Sequence, residues 1–340
     1  MNAPLQPPSA AASGRPLDLL ATPFERLAAA ARGWFRGQKG AGLAARVHQS
    51  ALCRGEFTPE HHGAGPRSAA EWRRRCRLAL PEIVAVAAEP AEHGQVVKRR
   101  LRFADGSEVE SVHLPMGRGR SSLCISTQVG CARACTFCET GRLGLRRNLT
   151  TGEILAQVTC QHRIARPDSI VFQGMGEPLD NLDALLPALA LLTDARSLGY
   201  AFDRLTICTV GHVPGIDALR RLGRKRLGLS LSLNCADDRR RAELMPHSVR
   251  YPLTEIQRSL IAYRQRANLA LGIHWCLLPG INDTAHDAEQ LAAFVAPLGR
   301  TFVHLIPYNP GSAPLTRAPD EREIQRFVQM LRARGLAVRR

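Results

Sequence analysis

Gly130-Cys131-Ala132-Arg133-Ala134-Cys135-Thr136-Phe137-Cys138 sets three cysteines at Cys-x3-Cys-x2-Cys, just after the apolar run 122–127. Three thiolates on one short loop are one short of closing a four-ligand metal site. A 4Fe–4S cluster held by three thiolates keeps one iron open to bind something else. The aromatic Phe137 before the last cysteine suits the water-poor wall that a reducible cluster needs. The competing reading is a structural zinc site completed by a distant ligand such as His113. Such sites more often pair two Cys-x2-Cys knuckles, and no second knuckle is present.

Outward from this loop, strand and helix patterns alternate. Apolar runs at 122–127, 169–173, 204–209, 227–233, 271–278 and 302–306 read as strands. A helical pattern follows each, the last from Asp320 to Arg334. Such alternation requires a parallel sheet with right-handed crossovers. Six βα units are too few for the closed eight-unit barrel. The expected fold is therefore α/β, with ligands gathered at the C-terminal ends of the strands. Upstream, Val96–Phe103 and Glu108–Leu114 flank Ala104-Asp105-Gly106-Ser107, which signals a β-hairpin. Thr150 and Glu153 have capping-box spacing and mark a helix start.

The residues around the cysteines form an ordered series. Ser122-Leu123-Cys124-Ile125-Ser126-Thr127-Gln128-Val129 leads in, and Arg147-Asn148-Leu149-Thr150-Thr151-Gly152-Glu153-Ile154 follows. Gly174-Met175-Gly176-Glu177-Pro178-Leu179, Val213-Pro214-Gly215-Ile216, Leu231-Ser232-Leu233-Asn234 and Pro307-Tyr308-Asn309-Pro310 complete it. Together these motifs resemble the radical S-adenosylmethionine (SAM) adenine methyltransferases of bacterial large-subunit ribosomal RNA. The match runs from about Phe35 to the end and is densest between Glu110 and Asn309.

The resemblance implies an open, partial (βα)6 radical SAM barrel and two cofactors, a 4Fe–4S cluster and SAM. Cys131, Cys135 and Cys138 would hold the cluster. Gly176 and Glu177 fall in the segment that receives the SAM amino group, while Ser232, Leu233, Asn234 and Asn309 match positions holding its adenosine and methionine parts. Asn234 stands where histidine is usual, and Val210 where many members have serine. Glu110 matches the family's proton-accepting glutamate, and Cys124 matches the cysteine that resolves a covalent RNA–enzyme adduct. Alternation along the strand would turn Cys124 and Ser126 toward the same side. The family tail bearing Cys-Gly-Gln-Leu, whose cysteine accepts the SAM methyl group, has no counterpart after Leu336-Ala337-Val338-Arg339-Arg340, so the methyl-carrier step is expected to be altered. The implied reaction is methylation of an adenine ring carbon (C2 or C8) in rRNA or tRNA. An electron donor such as flavodoxin and a monomeric state go with it.

Composition bounds these implications. The 340 residues have a formal charge of +16 and a pI near 10.3, which call for an anionic partner such as RNA. A proteome rich in arginine codons explains part of that excess. No apolar run is long enough to span a bilayer, and the start lacks the features of a secretory signal. A cytoplasmic location is expected, where clustered cysteines mean metal or catalysis rather than disulfides. The expected domains are a disordered tail over 1–22, a helical and RNA-binding accessory over 23–82, a β-hairpin linker over 83–116 and the radical SAM core over 117–340. Trp34 and Trp72 are candidates for base stacking, with a core role as the commoner alternative. Two other classes stay open: a radical SAM enzyme acting on a non-RNA substrate, and a methylation-deficient RNA-binding relative. Hydrolase and phosphate-loop classes are excluded, since neither a serine elbow nor a Walker loop occurs.

Overall fold

The computed structural model describes residues 16–35, 39–248, 250–264 and 269–340. Its centre is a ten-stranded sheet in which six long parallel strands carry the site. These are β6 (Ser121–Ile125), β9 (Ser169–Phe172), β10 (Leu205–Thr209), β11 (Gly228–Ser232), β12 (Leu271–Leu277) and β13 (Thr301–Pro307). Each lies beside the next in chain order, and the short β14 (Val338–Arg339) adds a seventh parallel strand beyond β13. The intervening helices are α5 (Thr151–His162), α6 (Leu182–Thr193), α7 (Val213–Arg221), α8 (Asp238–Leu244) with α9 (Leu253–Tyr263), α10 (Ala285–Val295) and α11 (Glu321–Ala333). This is the expected run of six βα units. Thr150 and Glu153 cap α5 reciprocally, as their spacing predicts.

The two faces of the sheet differ in kind. On the face covered by helices, Ile125, Phe172, Ile207, Leu229, Ile273 and Trp275 are essentially fully buried. Strand register places the alternate residues on the other, concave face: Cys124 beside Val171, Cys208 beside Ser230, Ser232 beside His274, and His274 beside His304. Small and polar side chains there leave room inside the barrel. Gly272 belongs to this lining, since a Cβ on it would collide with the Ser230 side chain.

The expected hairpin is present and is more than a linker. β4 (Gly94–Arg102) and β5 (Glu108–Pro115) pair antiparallel, preceded by β3 (Glu82–Ala91), and β5 pairs with β6. The three strands thus continue the barrel sheet. Ahead of them, α1 (Phe24–Trp34), α2 (Lys39–Arg54) and α3 (Pro66–Arg75) form a helical unit with its own core of Leu19, Leu27, Val47 and Trp72. Trp34 packs edge-on against Trp72 at 5.3 Å, so both tryptophans serve this core rather than a stacking surface. The tail expected to reach residue 22 must be shortened. β1 (Leu17–Asp18) pairs with β2 (Cys76–Arg77), and Leu19 and Leu20 are fully buried, Leu19 in the helical core and Leu20 in the main core. The part of that expectation covering residues 1–15 lies outside the described residues.

Candidate active site

The cysteine loop begins where β6 ends. After β6, β7 (Gln128–Gly130) pairs with β8 (Leu145–Asn148), and the cysteines and the short helix α4 (Glu139–Arg142) lie between them. Gly130 turns the chain at φ 78°, and a Cβ there would overlap the Gly144 carbonyl. The Cys131 N–H donates to Gly144 O at 3.0 Å and the Cys138 N–H to Cys135 O at 3.1 Å, which curls the loop. Thr136 fastens it to α8: its N–H donates to Leu244 O at 2.9 Å.

Three buried amides join this loop to the next strand end. Gln128 Oε1 accepts the Glu177 N–H at 2.8 Å, while its Nε2 donates to Asn148. Gln157 brackets Ser126, accepting from its N–H and donating to its carbonyl, both at 2.8 Å. Asn181 donates to Thr127 O and Leu149 O. Gly176, at φ 100°, passes so close to Gln128 that a Cβ would stand 2.5 Å from its Cβ. Arg133, between the first two cysteines, makes an ion pair with Asp180 just past Pro178.

These contacts enclose a cavity of about 370 Å³ at the C-terminal ends of the strands. Cys131, Cys135, Cys138, Gly176, Glu177, Val210, Ser232 and Asn234 all line it, as expected. Its size lies within the range of small-molecule sites. Burial pushes the Cys131 thiol up to about 11 and the Cys135 thiol up to about 12, so metal binding must displace their protons. Among the described residues, no three His, Cys, Asp or Glu side chains are arranged to hold a single metal ion. A mononuclear zinc site needs sulfurs about 3.8 Å apart, set by a Zn–S distance of about 2.3 Å. Thiols spread around a cavity suit a cluster in which each sulfur takes a different iron. His113, the alternative fourth ligand, stands on β5 opposite Leu123 and does not line the cavity.

Glu177 is 3 % exposed. Its carboxylate oxygens accept the Leu179 N–H at 3.1 Å and the Val210 N–H at 2.9 Å. Burial raises its proton affinity above the ordinary carboxyl range, and these N–H groups and Arg133 oppose that rise. Val210 therefore contributes through its backbone. Asn234, at φ 56°, accepts the Cys276 N–H at 2.8 Å and positions β12 against β11.

Four expected site residues stand apart from the lining. The Leu233 side chain is fully buried in the main core, and its N–H donates to His274 O. Asn309 is exposed beyond β13. Cys124 is on the concave face of β6, where burial pushes its thiol up to about 12. Glu110 shares that face by register and pairs with Lys98 Nζ at 3.1 Å.

The sequence reading missed several residues. His274, Cys276 and Cys208 line the cavity, and no motif marks them. Arg241 on α8 is only 3 % exposed. It donates to Val210 O at 2.6 Å, Leu233 O at 3.1 Å and Ser232 O at 3.4 Å, tying together the ends of β10 and β11. No carboxylate lies within ion-pair distance of it among the described residues, yet its charge opposes the upward push on the Cys135 thiol. In the sequence Asp238-Arg239-Arg240-Arg241 looks like a solvated helix face.

The radical SAM superfamily model matches residues 125–295. A probable RNA methyltransferase of Sorangium cellulosum is 39% identical over 274 residues, covering 78% of this chain and 67% of its own length. The dual-specificity RNA methyltransferase RlmN of Syntrophotalea carbinolica is 39% identical over 272 residues, covering 80% and 72%. The crystal structure of a radical SAM methyltransferase from Sphaerobacter thermophilus superposes with a TM-score of 0.84 at 30% identity, covering 95% of this chain and 94% of that one. The stretch 125–295 takes in the cysteine loop, the Glu177 turn and most of the strand ends around the cavity, and through it the chain belongs to the radical SAM superfamily, in the RlmN family of RNA methyltransferases.

Proposed function

We propose that the chain methylates a ring carbon of adenine, C2 or C8, in ribosomal or transfer RNA. The observation that carries this reading is the single cavity in which Cys131, Cys135 and Cys138 meet the Glu177 turn and the ends of β10 and β11. Its cofactors are a 4Fe–4S cluster and SAM. When bound, the cluster supplies one electron to the sulfonium of SAM.

The residues divide the remaining work. Cys131, Cys135 and Cys138 release their protons to hold the cluster. Glu177, fixed by two backbone N–H groups, presents a buried carboxylate to the SAM ammonium, with Gly176 keeping the wall thin. Ser232, Asn234 and the Val210 backbone orient the rest of SAM, with Asn309 approaching from the loop after β13. Glu110, paired with Lys98 Nζ at 3.1 Å, takes a proton from the adenine ring. Cys124 remains a thiol at neutral pH and would have to lose its proton before acting as a nucleophile.

The accessory helices hold RNA in a supporting role. Three arginines there are already engaged, Arg73 by Glu60 and Arg74 and Arg75 by Glu71. A one-electron donor such as flavodoxin, a monomeric state and a reducing cytoplasm complete the reading. Reconstituted protein given methyl-deuterated SAM, reductant and total RNA should yield labelled methyladenosine by nucleoside mass spectrometry. Deuterium confined to a non-RNA product would refute the assignment.

A further inference from the structure

The parallel topology collects the turns that lead into the strands at the end of the barrel away from the cysteines. Five of them, at 116–120, 163–168, 194–204, 222–227 and 296–300, precede β6, β9, β10, β11 and β13. They hold ten lysines and arginines against three aspartates, close to half the net +16 of the whole chain. All ten cations are exposed. The turns that follow the same strands, at 126–150, 173–181, 210–212, 233–237 and 308–320, hold five cations against five acids. The positive face of the barrel is thus the one opposite the catalytic mouth.

The cations on this face are also shaped for phosphate. Arg166 stacks 4.6 Å above Tyr200, Arg224 lies 5.1 Å above Phe202, and Arg300 lies 5.6 Å above Phe302. Stacking holds a guanidinium plane and leaves N–H edges for an anion, although one edge of Arg166 already donates to Leu198 O at 2.9 Å. Arg196 pairs with Asp194 of its own turn and with Glu25 of α1, and Arg226 pairs with Asp203. Arg118, Arg120, Arg204 and Lys225 have no carboxylate partner among the described residues. Between the turns before β10 and β11, Arg224, Lys225 and Arg226 line an open cleft of about 510 Å³ with Tyr200 and Phe202. Nine of the ten cations are arginine, the residue suited to bidentate phosphate contact.

We infer that the end of the barrel where the strands begin is a second RNA surface, gripping backbone phosphates of a folded substrate whose target adenine is at the opposite mouth. This rests on the proposed RNA function. The face lies one strand length from the cysteines, about 20 Å at roughly 3.3 Å per residue. A strand of eight nucleotides held at the mouth by a central adenine extends about 14 Å to either side at roughly 3.4 Å per stacked nucleotide and does not reach it, while a folded RNA does.

The test uses the full chain, total transfer RNA and an eight-nucleotide single strand with adenine at its centre. In one variant Arg224, Lys225 and Arg226 are all changed to Gln, and in a second Arg118→Gln is combined with Arg120→Gln. Each phosphate contact contributes about 0.9 to the slope of log K against log salt. The triple variant should therefore lose about 2.7 units of slope and the double variant about 1.8, each with at least a tenfold loss in affinity for transfer RNA and binding of the short strand unchanged. Unaltered slopes in both variants, with the unmodified chain binding transfer RNA, would overturn the inference. Loss of binding to phosphatidylserine vesicles without any change toward transfer RNA would overturn it in favour of a membrane surface. Failure of the unmodified chain to bind either RNA would overturn the proposed function, and this inference with it.

Discussion

Replacing Arg241 with methionine separates a structural strut from an electrostatic partner of the cluster. Two of the three Arg241 hydrogen bonds, to Val210 O at 2.6 Å and Leu233 O at 3.1 Å, are well formed. A hydrogen bond from a charged donor contributes about 1.5–3 kcal/mol net, so their loss costs roughly 3–6 kcal/mol. Against this, a guanidinium buried without a carboxylate partner carries a desolvation penalty of several kcal/mol, which methionine removes. In cluster-free protein the two terms nearly cancel, and stability should change by about 1–2 kcal/mol. With the thiolates and cluster present, their negative charge already offsets the guanidinium, and the substitution should cost about 3 kcal/mol or more. The midpoint potential should also fall by on the order of 50–100 mV, the equivalent of roughly 1–2 kcal/mol of lost attraction for the added electron. The assays are anaerobic denaturant unfolding of both forms and an EPR-monitored redox titration. Equal destabilisation of the two forms with an unmoved potential would refute the electrostatic reasoning.

Further expectations concern the loop, the turn and acid stability. Substituting any of Cys131, Cys135 or Cys138 with Ala should remove iron and sulfide together on reconstitution, as measured by elemental analysis; stoichiometric zinc in the unmodified protein would contradict this. Gly176→Ala forces a Cβ against Gln128 at a φ of 100°, and should cost about 2–3 kcal/mol in thermal unfolding while abolishing SAM binding by calorimetry. Burial lowers the His162 imidazole to about 4, beside the Tyr200 hydroxyl at 2.7 Å. Its unfolded form binds a proton near 6.5, so its stabilising contribution is complete above that pH and is lost as pH falls toward 4. His162→Phe should flatten the acid limb of a stability–pH profile between those values, and an unchanged limb would refute the assignment.

The barrel was legible because its strands carry an apolar period on the helix-covered face and begin and end at recognisable turns. The Asp105-Gly106 turn likewise announced β4 and β5. That these strands continue the main sheet was not legible, since pairing of β5 with β6 depends on register across a turn rather than on local pattern. Leu17 and Leu19 were hidden in a stretch read by its Pro and Ala content, although they pack into the accessory core, and Leu20 beside them is buried in the main core. The site was legible wherever residues fell in a contiguous motif: the cysteines and the Glu177 turn converge as expected. It was illegible where a lone polar residue acts from a distance. Arg241 sits in a charged helical run, and only the packing of α8 beneath the cysteine loop turns it inward. His274 and Cys276 lie in an otherwise apolar strand and read as core.

Transfer of a SAM methyl group to RNA adenine is the reaction on which the proposed function stands. Reconstituted protein should incorporate deuterated methyl from SAM into methyladenosine, and the Cys138→Ala variant should incorporate none. Labelled methyladenosine appearing equally with the variant, or its absence from RNA treated with fully loaded protein that still cleaves SAM reductively, would contradict it.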